Sequence, residues 1–174
     1  SNCGIVARSD IRDGRTDWIH HYRPVSVDRR SVLNHGSPPI IVGDKVICMP
    51  RDARRVFALD QRTGRLLWEN TLVLGVHLVG VIEDLLIVRG RSLVAGLDLD
   101  TGKARWYRPA THVIGRLAVL DGSVYLAQLD GLHRLDAGTG RIVESRPWNL
   151  SNEKPQAFAL HGRDLFLVTD KPAE

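Results

Sequence analysis

The side chains in this sequence with the reach to do chemistry are seven histidines, two cysteines and a set of cations drawn mostly from arginine. His20 and His21 are adjacent, with Tyr22 beside them and His35 further along the same polar stretch. Adjacent side chains on an extended strand point to opposite faces, so one of the pair is expected to face away. No cysteine or paired carboxylate stands at ligand spacing from them, and no zinc site is expected there. Asp98-x-Asp100 offers two acids of a calcium loop without its remaining ligands. His77, His112, His133 and His161 are expected to be hydrogen-bonded structural groups near strand ends. There is no Gly-rich phosphate loop, no serine nucleophile elbow and no His-Glu-x-x-His pair. Cys3 and Cys48 are far apart; Cys48 sits in an apolar run and reads as buried filler. Two cysteines neither demand nor exclude an oxidising compartment. The expectation is a chain with no catalytic, cofactor-binding or metal-binding residues, hence not an enzyme.

What must position these residues is a repeat. The phrase Asp-x-x-Thr-Gly occurs as Asp60–Gly64, Asp98–Gly102 and Asp136–Gly140, at a constant interval of 38 residues. An interval of this size marks a propeller blade or a solenoid unit. Thr-Gly at the end of a five-residue loop supplies the positive φ that closes a β-hairpin, and the leading Asp can fold back onto the turn's amides. Trp68 and Trp106 lie four residues after the glycine in two copies, and Glu144 holds that place in the third. Asp10-Ile11-Arg12-Asp13-Gly14, followed by Trp18, is a degenerate copy that precedes the next by 50 residues.

A second hairpin lies upstream in each unit. Ile40–Val42 turns into Val46–Cys48, Val79–Ile82 into Leu85–Val88, Leu117–Leu120 into Val124–Ala127, and Ala157–Leu160 into Leu165–Val168. These runs are aliphatic and β-branched, bounded by Gly and Asp, as strands are. Several are continuously apolar, which suits strands covered on both faces. Each unit reads as four antiparallel strands, A to D, which is one blade. The predicted fold is an all-β propeller segment with about four blades' worth of strands. Its divisions are strands C–D of a split blade over 1–22, a long loop over 23–39, blades over 40–76, 77–114 and 115–153, and strands A–B of a split blade over 154–174.

Ala58–Trp68 resembles the tryptophan-docking repeat of pyrroloquinoline-quinone (PQQ) enzyme propellers, Ala-x-Asp-x-x-Thr-Gly-x-x-x-Trp. Gly96–Trp106 matches with Gly at the Ala position, and Arg134–Glu144 matches more weakly, lacking both Ala and Trp. The resemblance covers nearly the whole chain. It implies that Asp60, Thr63, Gly64, Asp98, Thr101, Gly102, Asp136, Thr139 and Gly140 build the turns, and that Trp18, Trp68 and Trp106 brace adjacent blades. A ring spanning two sheets would bury a large apolar area. The third seam lacks that brace, and Trp148 is a candidate substitute. The family includes PQQ dehydrogenases and a non-catalytic branch that resembles the outer-membrane assembly lipoprotein. The dehydrogenases need eight blades, a calcium and often a disulfide between adjacent cysteines, which this chain lacks. The non-catalytic branch implies a protein-interaction scaffold without cofactor, in a periplasmic, envelope or extracellular protein. The alternatives are a fragment of a PQQ-dependent dehydrogenase and a carbohydrate-binding propeller.

In a blade, A–B and C–D turns share one rim, and B–C turns and blade-to-blade links share the other. The first rim is mixed: Asp44, Glu83, Asp84, Asp121 and the repeat acids against Arg62, Arg65, Lys103 and Arg141. The second collects His20, His21, Arg23, Arg29, Arg30 and His35, then Arg51, Arg54 and Arg55, then Arg89, Arg91, Arg108 and His112. Its acids are fewer, chiefly Asp28, Asp52, Asp130 and Glu153. That rim is expected to meet an acidic protein partner or an anionic glycan. Aromatic residues do not alternate with these cations, which argues against nucleic acid. The net charge is only +4, without a lysine-rich tail, and no apolar run approaches the ~20 residues that cross a bilayer. Ser1-Asn2 resembles a tag-cleavage scar and the chain opens in mid-blade, so a piece of a longer protein is expected. The complementary half-blades at its ends predict a homodimer forming an eight-bladed ring, or else a four-bladed ring closed within one chain.

Overall fold

The computed structural model describes residues 4–25, 37–50, 52–73, 75–150, 153–162 and 164–170, with the side chains of 75 and 76 left aside. Cys3, Asp28, Arg29, Arg30, His35 and Arg51 lie outside the described residues. The fold is all-β, a partial β-propeller of antiparallel sheets. β1 (Ile5–Ser9) and β2 (Thr16–His21) form a lone hairpin. Three four-stranded meanders follow: β3 (Ile40–Val42) to β6 (Leu66–Asn70), β7 (Gly75–Ile82) to β10 (Ala104–Pro109), and β11 (Ala118–Leu120) to β14 (Ile142–Pro147). A second lone hairpin, β15 (Lys154–His161) with β16 (Asp164–Asp170), ends the chain. The two lone hairpins remain separate sheets, so they do not complete a blade within one chain.

The inner strands explain the continuous apolar runs. Val56, Phe57, Ala58 and Leu59 of β5 (Val56–Asp60) are all buried, as are Leu85 to Val88 in β8 (Leu85–Gly90) and Val94 to Leu97 in β9 (Leu93–Asp98). A strand alternates its side chains between two faces, so burial at every position requires a neighbour on both. The neighbours are the adjacent blades. Ile47, Val56 and Ala58 of one blade pack with Leu86, Val88 and Leu97 of the next. Leu85, Ile87 and Val94 pack in turn against Val124, Leu126 and Leu135.

Each Asp-x-x-Thr-Gly phrase closes its C–D hairpin in one way. The Asp60 Oδ1 accepts from the Thr63 amide (2.7 Å) and hydroxyl (2.6 Å), while the Gly64 amide donates to the Asp60 carbonyl (2.9 Å). Asp98 with Thr101, and Asp136 with Thr139, repeat the pattern. These bonds to Thr63 hold the Asp60 carboxyl below its usual range. The Asp98 carboxyl is drawn to about 2, by Arg105 first and Thr101 second. The glycine ends the turn at φ of 67° to 71°, where a side chain is strained. Just beyond it every C–D pair shifts register, as between Ala58↔Trp68 and Leu59↔Leu66. The bulge leaves one residue of strand D unpaired and turns that strand locally.

The seams between blades are built on these turns. The Trp18 indole N–H donates to the Gln61 carbonyl (3.0 Å), Trp68 to Leu99 (2.9 Å) and Trp106 to Ala137 (2.8 Å). In each case the acceptor follows the turn Asp of the next blade. The ring covers that turn's glycine: a Cβ at Gly64, Gly102 or Gly140 would overlap Trp18, Trp68 or Trp106. At the Trp18 and Trp68 seams the residue two positions beyond the tryptophan adds a second link. His20 Nδ1 lies 3.1 Å from the Gly64 carbonyl, and Asn70 Nδ2 donates to that of Gly102 (2.8 Å). The His20 ring also packs near Phe57, at 5.8 Å between centroids.

At the seam after the third blade the cross-strand pair that was Ala58–Trp68 becomes Arg134–Glu144, an ion pair at 3.0 Å, with Arg146 on the other Glu144 oxygen (2.6 Å). Trp148 donates to Gln128 of its own blade (2.7 Å) and, like Phe158 of the last hairpin, packs against the cluster of Ile114, Ala127 and Leu132. An open cleft of about 480 Å³ remains there, between the third blade and β15–β16.

Two stability outcomes follow. Trp68→Ala, at a residue 7% exposed, is expected to cost roughly 3–5 kcal/mol in chemical denaturation. Arg62→Ala, in an exposed turn, is expected to stay within about 0.5 kcal/mol. Gly122 and Gly102 share φ near +67°, but only Gly102 lies under an indole. Gly122→Ala is expected to cost roughly 1–2 kcal/mol from backbone strain alone, and Gly102→Ala roughly 1–3 kcal/mol more from displacing Trp68. Equal losses for the two glycines would contradict the seam geometry.

Candidate interaction rim

Antiparallel meanders bring the B–C turns and the links between blades to one end of the sheets. The cations placed there by sequence have different fates. Arg89 is partly buried, donating to the Gly115 carbonyl (2.6 Å) and the Val113 carbonyl (3.4 Å), and ties a B–C turn to the following link. Burial draws its guanidinium below its ordinary range. Arg55 pairs with Glu69 (2.7 Å) and donates to Ala53 (3.2 Å). Arg108 is half-buried, and its Nε has no partner among the described residues. His20 serves the first seam, while His21 is exposed on the opposite face of β2. Arg54, at φ 48°, and Arg91 stand in solvent. Arg23, His112 and Arg116 are exposed as well. The arginines that hold the rim together are therefore distinct from those that face outward.

Asp52 and Asp130 of this rim each accept a partner through Oδ1. Asp52 is 2% exposed and accepts from the Tyr22 hydroxyl (2.8 Å), which joins the first hairpin to the first full blade. Asp130 lies 3.1 Å from His133 Nε2, and His133 Nδ1 lies 2.9 Å from the Ser145 hydroxyl. His77 is buried beneath the rim, and its titration drops to about 4, from burial first and then the charges of Arg89 and Arg116. It stays neutral at physiological pH and adds no charge. Burial pushes the Cys48 thiol up to about 12, so it stays protonated. On the opposite rim, Lys45 bridges Asp44 (3.0 Å) and Asp100 (3.1 Å), and Arg105 binds both Asp84 and Asp98.

Two apolar side chains at this rim were not singled out by sequence. Asn70 Oδ1 accepts from the amides of Leu72 (2.9 Å) and Val73 (3.2 Å), which fixes the link after β6. The arrangement buries Val73 fully and holds Leu72 out, 76% exposed. Leu129, in the B–C turn of the third blade, is 60% exposed. The available signal was a leucine inside a short polar link, Asn70-Thr71-Leu72, where a turn needs none. Leu72 and Leu129 thus stand in solvent at the same end of the sheets as the exposed Arg54 and Arg91. Among the described residues no three His, Cys, Asp or Glu side chains gather to hold a metal ion.

Relatives share this architecture. An outer membrane protein assembly factor BamB from Legionella pneumophila (strain Paris) is 28% identical, over 64% of this chain and 32% of its own length. The crystal structure of BamB from Moraxella catarrhalis superposes with a TM-score of 0.70 at 23% identity, covering 97% of this chain and 50% of that one. A quinohemoprotein alcohol dehydrogenase from Pseudomonas putida HK5 shares the fold at a TM-score of 0.56 and 16% identity, over 83% of this chain and 32% of the enzyme. The chain thus spans about a third of the curated relative and half of the solved assembly factor. The sequence profile described as outer membrane protein assembly factor BamB matches residues 2–143 and, in an overlapping alignment, 52–171, and the chain belongs to that family.

Proposed function

We propose that this chain is a non-catalytic protein-interaction scaffold within a larger cell-envelope protein, acting on the periplasmic side of the outer membrane in outer-membrane protein assembly. Membership of the assembly-factor family supports the setting. The observation that carries the reading is the rim itself: Leu72 and Leu129 in solvent, with exposed Arg54, Arg91 and Arg116 on the same end of the blades. The partner surface it fits is acidic with an apolar patch. Long-range attraction would speed encounter, and the leucines would be desolvated on docking. Among the described residues no helix is long and apolar enough to cross a membrane.

In the full-length protein, photo-cross-linking from position 72 or 129 is expected to capture an outer-membrane assembly component, and position 62 on the opposite rim is not. Leu72→Asp combined with Arg91→Glu is expected to weaken that association by about tenfold or more and to fail to restore outer-membrane protein levels in a deletion strain. Full restoration by the double variant would remove the rim from the reading. Cofactor absorbance retained through gel filtration after adding PQQ and calcium, with dye-linked alcohol oxidation, would overturn the scaffold in favour of a dehydrogenase. Rim-dependent binding of an anionic glycan would favour a carbohydrate-binding propeller.

A further inference from the structure

We propose that the link-rim end of the seam between the second and third blades is a seat for a phosphate group, held by His77, Arg89 and Arg116. The site shares Arg116 with the rim but does not rest on the scaffold reading, since it needs no protein partner. His77 of β7 stands directly opposite Arg89 of β8, and Arg89 directly opposite Val94 of β9. Residues in direct register share a face of the sheet. Val94 packs with Leu126 and Leu135, so this row faces the third blade. From that side comes the link that Arg89 holds through the Val113 and Gly115 carbonyls, and Arg116 is the next residue along it. Three elements thus bring two guanidinium groups and an imidazole to one place.

Donors are left over there. His77 is 9% exposed, and its Nε2 is buried without a hydrogen-bond partner among the described residues. The Nε of Arg89 is likewise buried and unpartnered, while its two terminal nitrogens are committed to the link. Arg116 is exposed, and no carboxylate pairs with it or with Arg89 among the described residues. Both charges act on the His77 ring, whose titration falls to about 4 from burial first and from Arg89 and Arg116 next. Buried donors without acceptors are unfavourable, and an anion that accepts from them offsets that penalty. The arrangement suits a phosphate better than a carboxylate. A carboxylate offers two oxygens in one plane, which a single guanidinium fork satisfies. Here the free donors come from three separate elements, and the tetrahedral oxygens of a phosphate can accept from all of them. The neutral imidazole donates from Nε2 in that tautomer. Arg108 extends the row beyond Val94, and its Nε is also buried and unpartnered. At two strand spacings from Arg89, about 10 Å, it adds charge and no contact.

Histidine-selective NMR of the full-length protein tests this, with the His77 signal assigned by its loss in His77→Gln. Inorganic phosphate is expected to move the His77 signal saturably. The exposed His21 and His112 are expected to stay in place, and chloride at equal ionic strength to move none of them. Arg116→Gln, at an exposed side chain, is expected to weaken phosphate affinity about tenfold, the worth of one charge-assisted hydrogen bond. Arg54→Gln, exposed on the B–C turn of the first blade, is expected to leave it unchanged. Phosphatidylglycerol vesicles identify the source of the group: pelleting with the protein that is lost in Arg116→Gln assigns a lipid headgroup, and any other result assigns the free anion. A His77 signal that ignores inorganic phosphate, or a shift that survives Arg116→Gln at unchanged affinity, would overturn the seat.

Discussion

The contact on which this molecule depends is an indole laid across the glycine of the next blade's turn, its N–H given to a carbonyl of the same turn. Trp68 does this with Gly102 and Leu99, and Trp106 with Gly140 and Ala137. One side chain satisfies three requirements of a radial stack at once. It covers apolar area between two sheets, it pairs a buried donor, and it sets the spacing of adjacent blades through a surface with no Cβ. The acceptor can be offered because the Asp and Thr of the turn have already bonded each other, which leaves the following carbonyl free to point outward. Turn and seam are therefore one device. The repeat carries both in eleven residues.

Removing the device at one place has visible consequences. Arg134 and Glu144 occupy the positions of Ala58 and Trp68, and their ion pair stays within a single sheet. A charged pair at a surface contributes little to stability and prefers to remain hydrated. The seam it borders holds the cleft between the third blade and β15–β16. Trp148 fills part of the far end from within its own blade, bonded to Gln128. The same rule accounts for exposure at the termini, since strands built to be covered on two faces are here covered on one.

The two rims divide the charged residues by function. On the turn rim, acids and bases answer each other at short range, as Arg105 does with Asp84 and Asp98. On the link rim, some arginines are consumed as structural donors and others are left in solvent. Arg89 and Arg91, two residues apart, fall on either side of that division. The end of the strand decides it: Arg89 still lies in β8 and reaches the neighbouring link, while Arg91 lies past the end of β8 in the B–C turn.

By itself the sequence determined the all-β propeller class, the four-stranded unit and the place of each tight turn. These are properties of local chemistry repeated at fixed spacing: Asp, Thr and Gly at a hairpin turn, and apolar runs too continuous for a strand with one wet face. It also placed arginines at one rim, because antiparallel strands assign every turn to an end. It did not separate Arg89 from Arg91, nor mark Leu72 and Leu129, because those distinctions depend on what lies across a gap from a neighbouring segment. The acceptors of the tryptophans, the Asn70 and His20 links and the ion pair at the open seam were decided by tertiary structure. Each joins groups from different strands or blades, and a hydrogen bond between them exists only once packing has fixed both its ends.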